Sequence, residues 1–361
     1  MALARATAYH EPHVPKDSPE RIATLDGLRA LSIVAVIFSH TLGTHMLGGG
    51  MVPDPDRLRV LADLGVRTFF IISGFLITTL LVREREKSGR ISLAGFYLRR
   101  TFRIFPAFYV FLGVVLVLAT IGWISVPRDD LIYAATYTMN FHAEREWWVG
   151  HLWSLAVEEQ FYLLWPLAVV MLGVRRALIV ALVGIMLAPV LRIGAWICWP
   201  EVRPLTDQAF PFVFDALATG CVLAIGRDWL ETQPLYLTLL DAPTFWLLPA
   251  AGIVALSIST VWFNLGAGVT LGNIAIAMAI HRCVRHPDLR VGRFLESRML
   301  VWVGSMSYSL YLWQQLFVDR HSEFWANAFP LNLVLAAAAA IVSFYLVERP
   351  VLRWRARRRK T

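Results

Sequence analysis

Cysteine is scarce in this 361-residue sequence: Cys198, Cys221 and Cys283 are the only three, and they lie far apart. Such spacing fits neither a disulfide framework nor a tetrahedral metal centre. The thiols are therefore expected to pack, and no metal is expected. An internal repeat is also missing, as are the paired broken helices that mark inverted-repeat transporters. No low-complexity linker divides the chain into domains. Residues 1–20 hold no apolar core of signal-peptide length and are expected to remain as a flexible cytoplasmic tail. A nucleic-acid partner is not expected despite the net charge of +8, because the basic residues sit in particular loops and the tail.

What the chain does have is apolar length. Fifty-seven per cent of it is hydrophobic, with 14 Trp and 21 Phe, in repeated runs near the length of a bilayer-crossing helix. This predicts an all-α, polytopic integral membrane bundle of about ten transmembrane helices. The runs fall near 28–46, 66–82, 104–122, 152–173, 177–198, 208–225, 244–260, 262–281, 299–318 and 331–348. The sixth to eighth are interrupted by Pro211, Pro243, Pro249 and several glycines. Of the 34 Lys and Arg, 25 fall on the side shared by both termini, seven on the other and two within runs. That bias predicts cytoplasmic termini. The chain then divides into the tail 1–20, a membrane domain 21–350 and a basic cytoplasmic tail 351–361, with no further soluble domain expected.

The first run carries two ionisable residues, Arg29 and His40. Eleven helical residues turn through about 1100°, so both side chains share a face, about 16 Å apart along the axis. Ionisable groups at membrane depth suggest function. The alternatives are an arginine snorkelling to the headgroups and a histidine bonding between helices. Asp26 is read as the cap of this helix. Within Phe69–Ile77, Ser73 and Gly74 form a small notch that serves close helix packing or touches a ligand. Arg100 and Arg103, three apart on a helix, share a face suited to phosphate oxygens or to anionic lipid. Beyond the longest outer loop, His151, Ser154, Glu158 and Tyr162 form a stripe on one helix face, with Glu159 and Gln160 adjoining. Trp147, Trp148 and Trp153 are interfacial anchors or stacking faces for a sugar. Tyr308, Tyr311, Gln314 and Gln315 put hydrogen-bonding groups inside an apolar run, as polar glue between helices or as substrate contacts.

Taken in order, these motifs resemble the membrane-bound acyltransferase family 3, the acetylases of O-antigen, exopolysaccharide, Nod factors and macrolides. The carriers are Arg29 with His40, Phe69-Phe-Ile-Ile-Ser-Gly-Phe-Leu-Ile77, Arg100-Thr-Phe-Arg103, His151-Leu-Trp-Ser-Leu-Ala-Val-Glu-Glu-Gln-Phe-Tyr162, Ser307-Tyr-Ser-Leu-Tyr-Leu-Trp313 and Glu348-Arg-Pro350. The resemblance runs from about Arg21 to Pro350. It implies acyl transfer, commonly from acetyl-CoA as co-substrate with no permanently bound cofactor, onto a hydroxyl of a sugar or other small acceptor. Lipids and a carbohydrate would be the other partners, and a bacterial-type inner membrane the location.

In that family Arg29 and His40 correspond to essential residues, and His40 to the expected catalytic one. Arg100 and Arg103, with Arg29 and Ser73, would serve the acyl-CoA donor. His40 would act as a general base near mid-membrane, or carry the acyl group itself. Glu158 would orient His40, bind sugar hydroxyls, or pair with a buried arginine such as Arg192. His151, Trp153, Ser154, Glu159, Tyr162, Tyr308 and Gln314 would face the acceptor. Many relatives have His where this chain has Gln314, which removes acid–base chemistry at that position. The competing class is a transporter or flippase of a lipid-linked sugar or small metabolite.

Overall fold

The structure, a computed structural model, describes residues 22–42, 44, 55–258, 260–320, 322 and 324–358. Among these residues the secondary structure is helical, without strands. Eight helical segments among the described residues are long and apolar enough to cross a membrane, making this a multi-pass membrane protein. The first six contain α1 (Ala23–Thr41), α2 (Pro55–Ser88), α3 (Leu93–Thr120), α4 (Leu152–Leu172), α5 (Val174–Cys198) and α6 (Phe210–Leu230). Pro211 opens α6 rather than interrupting it, since a helix's first turn has no use for that N–H.

The run at 244–260 yields only the twelve-residue α7 (Leu247–Ile258). The next crossing segment, Val261–Arg285, passes through a π-helical stretch before α8 (Val269–Arg285). The run at 299–318 forms two short helices, α9 (Arg298–Ser305) and α10 (Ser307–Gln314), divided at Met306. The last crossing segment, Leu331–Arg358, comprises α11 (Leu331–Ser343), a π-helical turn ending at Glu348, and α12 (Arg349–Arg358).

Small residues fix how the helices cross. A Cβ placed on Gly74 of α2 would lie 2.0 Å from the Leu217 carbonyl oxygen of α6. One on Gly220 of α6 would lie 2.1 Å from the Ile71 carbonyl oxygen of α2. The two backbones therefore touch, as small-residue interfaces in membranes permit. The notch read from Ser73-Gly74 is thus a packing device at Gly74, and it fixes the direction in which Ser73 points.

Asp26 is not the cap of α1. The helix begins three residues earlier, after Ile22, and Asp26 lies in the first turn, where a carboxylate suits the helix dipole. At the other end α1 stops at Thr41, so His40 lies in its last turn. The following sequence holds Gly43 and Gly48-Gly-Gly50, poor helix formers that favour an early stop.

Gly220→Val would drive a branched side chain into the α2 backbone, which has no side chain to move aside. A loss of stability at or above the upper end of the usual overpacking cost of about 1–3 kcal/mol is expected. Thermal unfolding in detergent, beside the milder exposed-site control Gly113→Val, measures it.

Candidate active site

The predicted polar residues gather around two cavities stacked along the bundle. The first receives Arg29 from α1, Ser73 from α2, Arg100 and Arg103 from α3, Ser154, Glu158, Glu159 and Tyr162 from α4, and Tyr308 from α10. The second receives His40 from α1, Asp63 from α2, Trp147, His151 and Trp153 from the start of α4 and the turn before it, and Gln315 from the end of α10. Val66 and Tyr311 line both and form the wall between them.

In the first cavity the cations outnumber their partners. Arg29 Nη1 lies 3.4 Å from Asp26 Oδ1. Arg100 and Arg103 make no hydrogen bond or ion pair among the described residues, and Arg100 Nε is buried without an acceptor. The Arg100 guanidinium stacks 3.5 Å above the Tyr162 ring, a cation–π contact that orients it without consuming its donors. Tyr162 donates to Ser73 Oγ (2.9 Å), which in turn donates to Glu158 Oε1 (2.6 Å). This chain ties α2 to α4. Three guanidiniums facing two carboxylates leave a cavity suited to an anion.

The second cavity is built around an oriented imidazole. His40 Nδ1 lies 3.0 Å from Gln314 Oε1, and its ring meets Trp147 edge-on at 5.4 Å. Hydrogen-bond logic then fixes the tautomer. The Trp147 carbonyl only accepts, so the group 2.9 Å from it is the Gln315 amide nitrogen. Gln315 Oε1 therefore accepts from Gln314 Nε2 at 2.9 Å. That leaves Gln314 Oε1 toward His40, so Nδ1 carries the proton and Nε2 is the basic nitrogen. Trp147 Nε1 also donates to the Gln315 carbonyl (3.0 Å), clamping the loop to α10. Both ring nitrogens of the buried His151 lack a hydrogen-bond partner among the described residues.

Order in the loop between α3 and α4 positions Trp147. Asp130, almost fully buried, accepts from the Glu146 N–H (2.8 Å) and holds His142 Nε2 at 2.8 Å. Gln160 donates to Asn140 Oδ1 (2.8 Å) and to the Tyr137 carbonyl (3.0 Å), so it serves the loop and not the site. Asp207 pairs with Arg59 at 2.6 Å, and both line the cavity with Asp63 and Arg145. Burial pushes the Arg145 guanidinium below its ordinary value.

The structure regroups the sequence-predicted site. Ser154, Glu159, Tyr162 and Tyr308, expected on the acceptor side, and Glu158, expected to be catalytic with His40, share the arginine cavity, whereas His151, Trp153 and Gln314 stay with His40. The cause is helical rise: Glu158 lies seven residues below His151, about 10 Å along α4, and so falls past the Val66–Tyr311 wall. Glu158 bonds Ser73 and does not orient His40, a task that falls to Gln314. Nor does it pair with Arg192, which binds Asp215 (2.5 Å) and Thr270 (3.0 Å). Sequence reading missed Asp63 as a site residue. Its only signal was an acid at the start of the second run, where a loop was as reasonable as two more turns of helix.

Replacing Gln314 with Leu removes the acceptor at Nδ1. Nitrogen-15 spectra of histidine-labelled protein are expected to change from one neutral His40 tautomer to a mixture of both. An unchanged single Nδ1–H signal would dissociate the relay from the imidazole.

Residues 22–349 match the family model described as an acyltransferase domain. The O-acetyltransferase OatA of Staphylococcus aureus is 29% identical, across 92% of this chain and 58% of its own length. The peptidoglycan O-acetyltransferase OatA of Listeria monocytogenes is 27% identical, across 97% of this chain and 57% of its own. This chain therefore covers less than two thirds of those relatives. No solved structure matches it. A match across nearly the whole bundle, carrying the oriented histidine and the cluster of arginines, makes this chain a member of the membrane-bound acyltransferase family 3.

Proposed function

We propose that this protein is an O-acetyltransferase of a bacterial inner membrane, moving an acetyl group from cytoplasmic acyl-CoA to a hydroxyl of a cell-surface glycan. The observation that carries the reading is the end-to-end arrangement of the two cavities. One presents an imidazole held through Nδ1, with Nε2 making no hydrogen bond among the described residues; the other presents the guanidiniums of Arg100 and Arg103, unpaired among those residues. The charge bias of the loops supports cytoplasmic termini and, with them, a cytoplasmic side for the arginine cavity. The names of the two OatA relatives support acetyl as the group and a glycan as the acceptor. Family membership weighs against the transporter or flippase reading.

In this mechanism Arg100 and Arg103 hold the donor's phosphates, and Arg29 adds a third positive charge. The thioester arm extends past Val66 and Tyr311 to the His40 cavity. There Nε2 of His40 takes the proton of the acceptor hydroxyl as its oxygen attacks the thioester carbonyl. The tetrahedral intermediate collapses, the carbon–sulfur bond breaks, and the imidazolium returns the proton to the departing thiolate. Asp63, Glu146 and Asp207 line the same cavity and offer carboxylates to the acceptor's other hydroxyls. The ring nitrogens of His151 offer further contacts. Glu158, placed among the arginines, belongs to the donor side of this scheme.

His40→Ala is expected to lower acetyl transfer at least 10²-fold, within the usual worth of a general base, while the protein accumulates normally. Near-normal turnover by a folded His40→Ala protein would remove the imidazole from the chemistry.

Arg100→Ala and Arg103→Ala are each expected to raise the KM for acetyl-CoA by about tenfold to a hundredfold, the worth of a charge-assisted hydrogen bond. The acceptor KM should hold. Asp63→Asn is expected to do the reverse. Steady-state kinetics with each substrate varied separately gives both constants, and a raised acceptor KM in the arginine variants would reverse the assignment of the cavities.

A further inference from the structure

We propose that Arg145, in the His40 cavity, binds a carboxylate on the acceptor, so that the glycan acetylated here contains a sugar acid. The inference rests on the reading of this cavity as the acceptor site, and it names the class of sugar that enters. Arg59 and Arg145 are the two arginines that line the cavity. Arg59 is paired with Asp207 at 2.6 Å, whereas Arg145 makes no ion pair among the described residues.

The Arg145 side chain is set in place by its own loop. Its Nη1 donates to the His142 carbonyl at 2.7 Å. His142 is itself fixed, with Nε2 2.8 Å from the buried Asp130 and its ring stacked on Tyr133 at 4.4 Å. That leaves Nε and Nη2, whose N–H bonds point the same way and form the edge of a guanidinium that grips a carboxylate through two parallel hydrogen bonds. Neither nitrogen has a partner among the described residues, and neither is enclosed by the protein. Gly150 also lines the cavity and leaves this edge uncovered: a Cβ there would lie 3.6 Å from Nε.

The acids of the cavity leave the place open. Asp207 acts on the charge of Arg145 from a distance but spends its short contact on Arg59. Asp63 stands on α2 one helical turn from Arg59 and one from Arg67, and both act on its charge. Glu146 is exposed, and its N–H is held by Asp130. Burial pushes the Arg145 guanidinium below its ordinary value, and an arriving carboxylate favours the charged form again. The single fork matches the two coplanar oxygens of a carboxylate. The second charge of a phosphate would find no further cation in the lining, because Arg59 is already paired.

Saturation-transfer NMR on the purified full chain tests this, with glucuronic, galacturonic and N-acetylmuramic acids, each beside its methyl ester, and glucose 6-phosphate as probes. In at least one pair the wild type is expected to bind the acid about tenfold to a hundredfold more tightly than the ester, the worth of charge-assisted hydrogen bonds. Arg145→Met, which keeps the apolar stem, should abolish that preference. Arg145→Lys, which keeps the charge but loses the fork, should lower it severalfold, and it decides the matter if Arg145→Met fails to fold. An unchanged preference in either folded variant, or no preference for any acid in the wild type, overturns the carboxylate site. Glucose 6-phosphate binding more tightly than every acid overturns the choice of a carboxylate. Acetyl-CoA consumption that depends on His40, read in the same preparations, keeps the two readings apart. Consumption without acid preference sinks the carboxylate alone, and absence of consumption sinks the acetyl-transfer reading.

Discussion

Everything in this bundle is arranged around the cost of placing charge in an apolar interior. A guanidinium or carboxylate there must be paired, hydrogen-bonded or turned toward a cavity. Arg192 meets the condition internally: it is 3% exposed and held by Asp215 and Thr270, joining α5, α6 and α8. Arg100 and Arg103 meet it differently, without acceptors among the described residues, around a cavity. The same rule thus separates arginines that hold helices together from those that line a cavity.

Helix α1 is the beam that links the two cavities. Its single face delivers Arg29 to one and His40 to the other, with Ser32 and Val36 buried between them. The wall of Val66 and Tyr311 keeps the cation cluster apart from the imidazole. Tyr311 is fixed there by donating to the His151 carbonyl at 2.9 Å, with Ser154 Oγ 2.6 Å away. In the proposed mechanism the separation has a chemical use: a basic nitrogen placed against three guanidiniums would feel their field, and a general base works best when its proton affinity is matched to ambient pH.

Gln314 occupies an unusual place in this scheme. An amide cannot move protons, yet its dipole, set by Gln315 and the Trp147 carbonyl, dictates which imidazole nitrogen is basic. The orientation of the histidine therefore depends on a backbone carbonyl at the end of the loop between α3 and α4. That loop is in turn pinned by Asp130 and by the Gln160–Asn140 pair. Residues without any chemistry of their own reach the site through this chain.

Sequence alone determined the membrane class, the positions of most of the long helices and the identity of most of the polar residues that line the two cavities. Periodicity and the cost of buried charge are local properties, written into runs such as Leu28–Leu42 and the stripe from His151 to Tyr162. The family was likewise legible, because its motifs are contiguous. Tertiary structure decided which of those residues meet. A helix face specifies a direction but not the level at which a neighbouring helix stands. Levels were set where Gly74 and Gly220 let α2 and α6 touch, and where α1 stops at Thr41. Those long-range contacts put Glu158 with the arginines and His40 with Gln314, because about 5.4 Å of rise per turn carries a stripe from one cavity into the next.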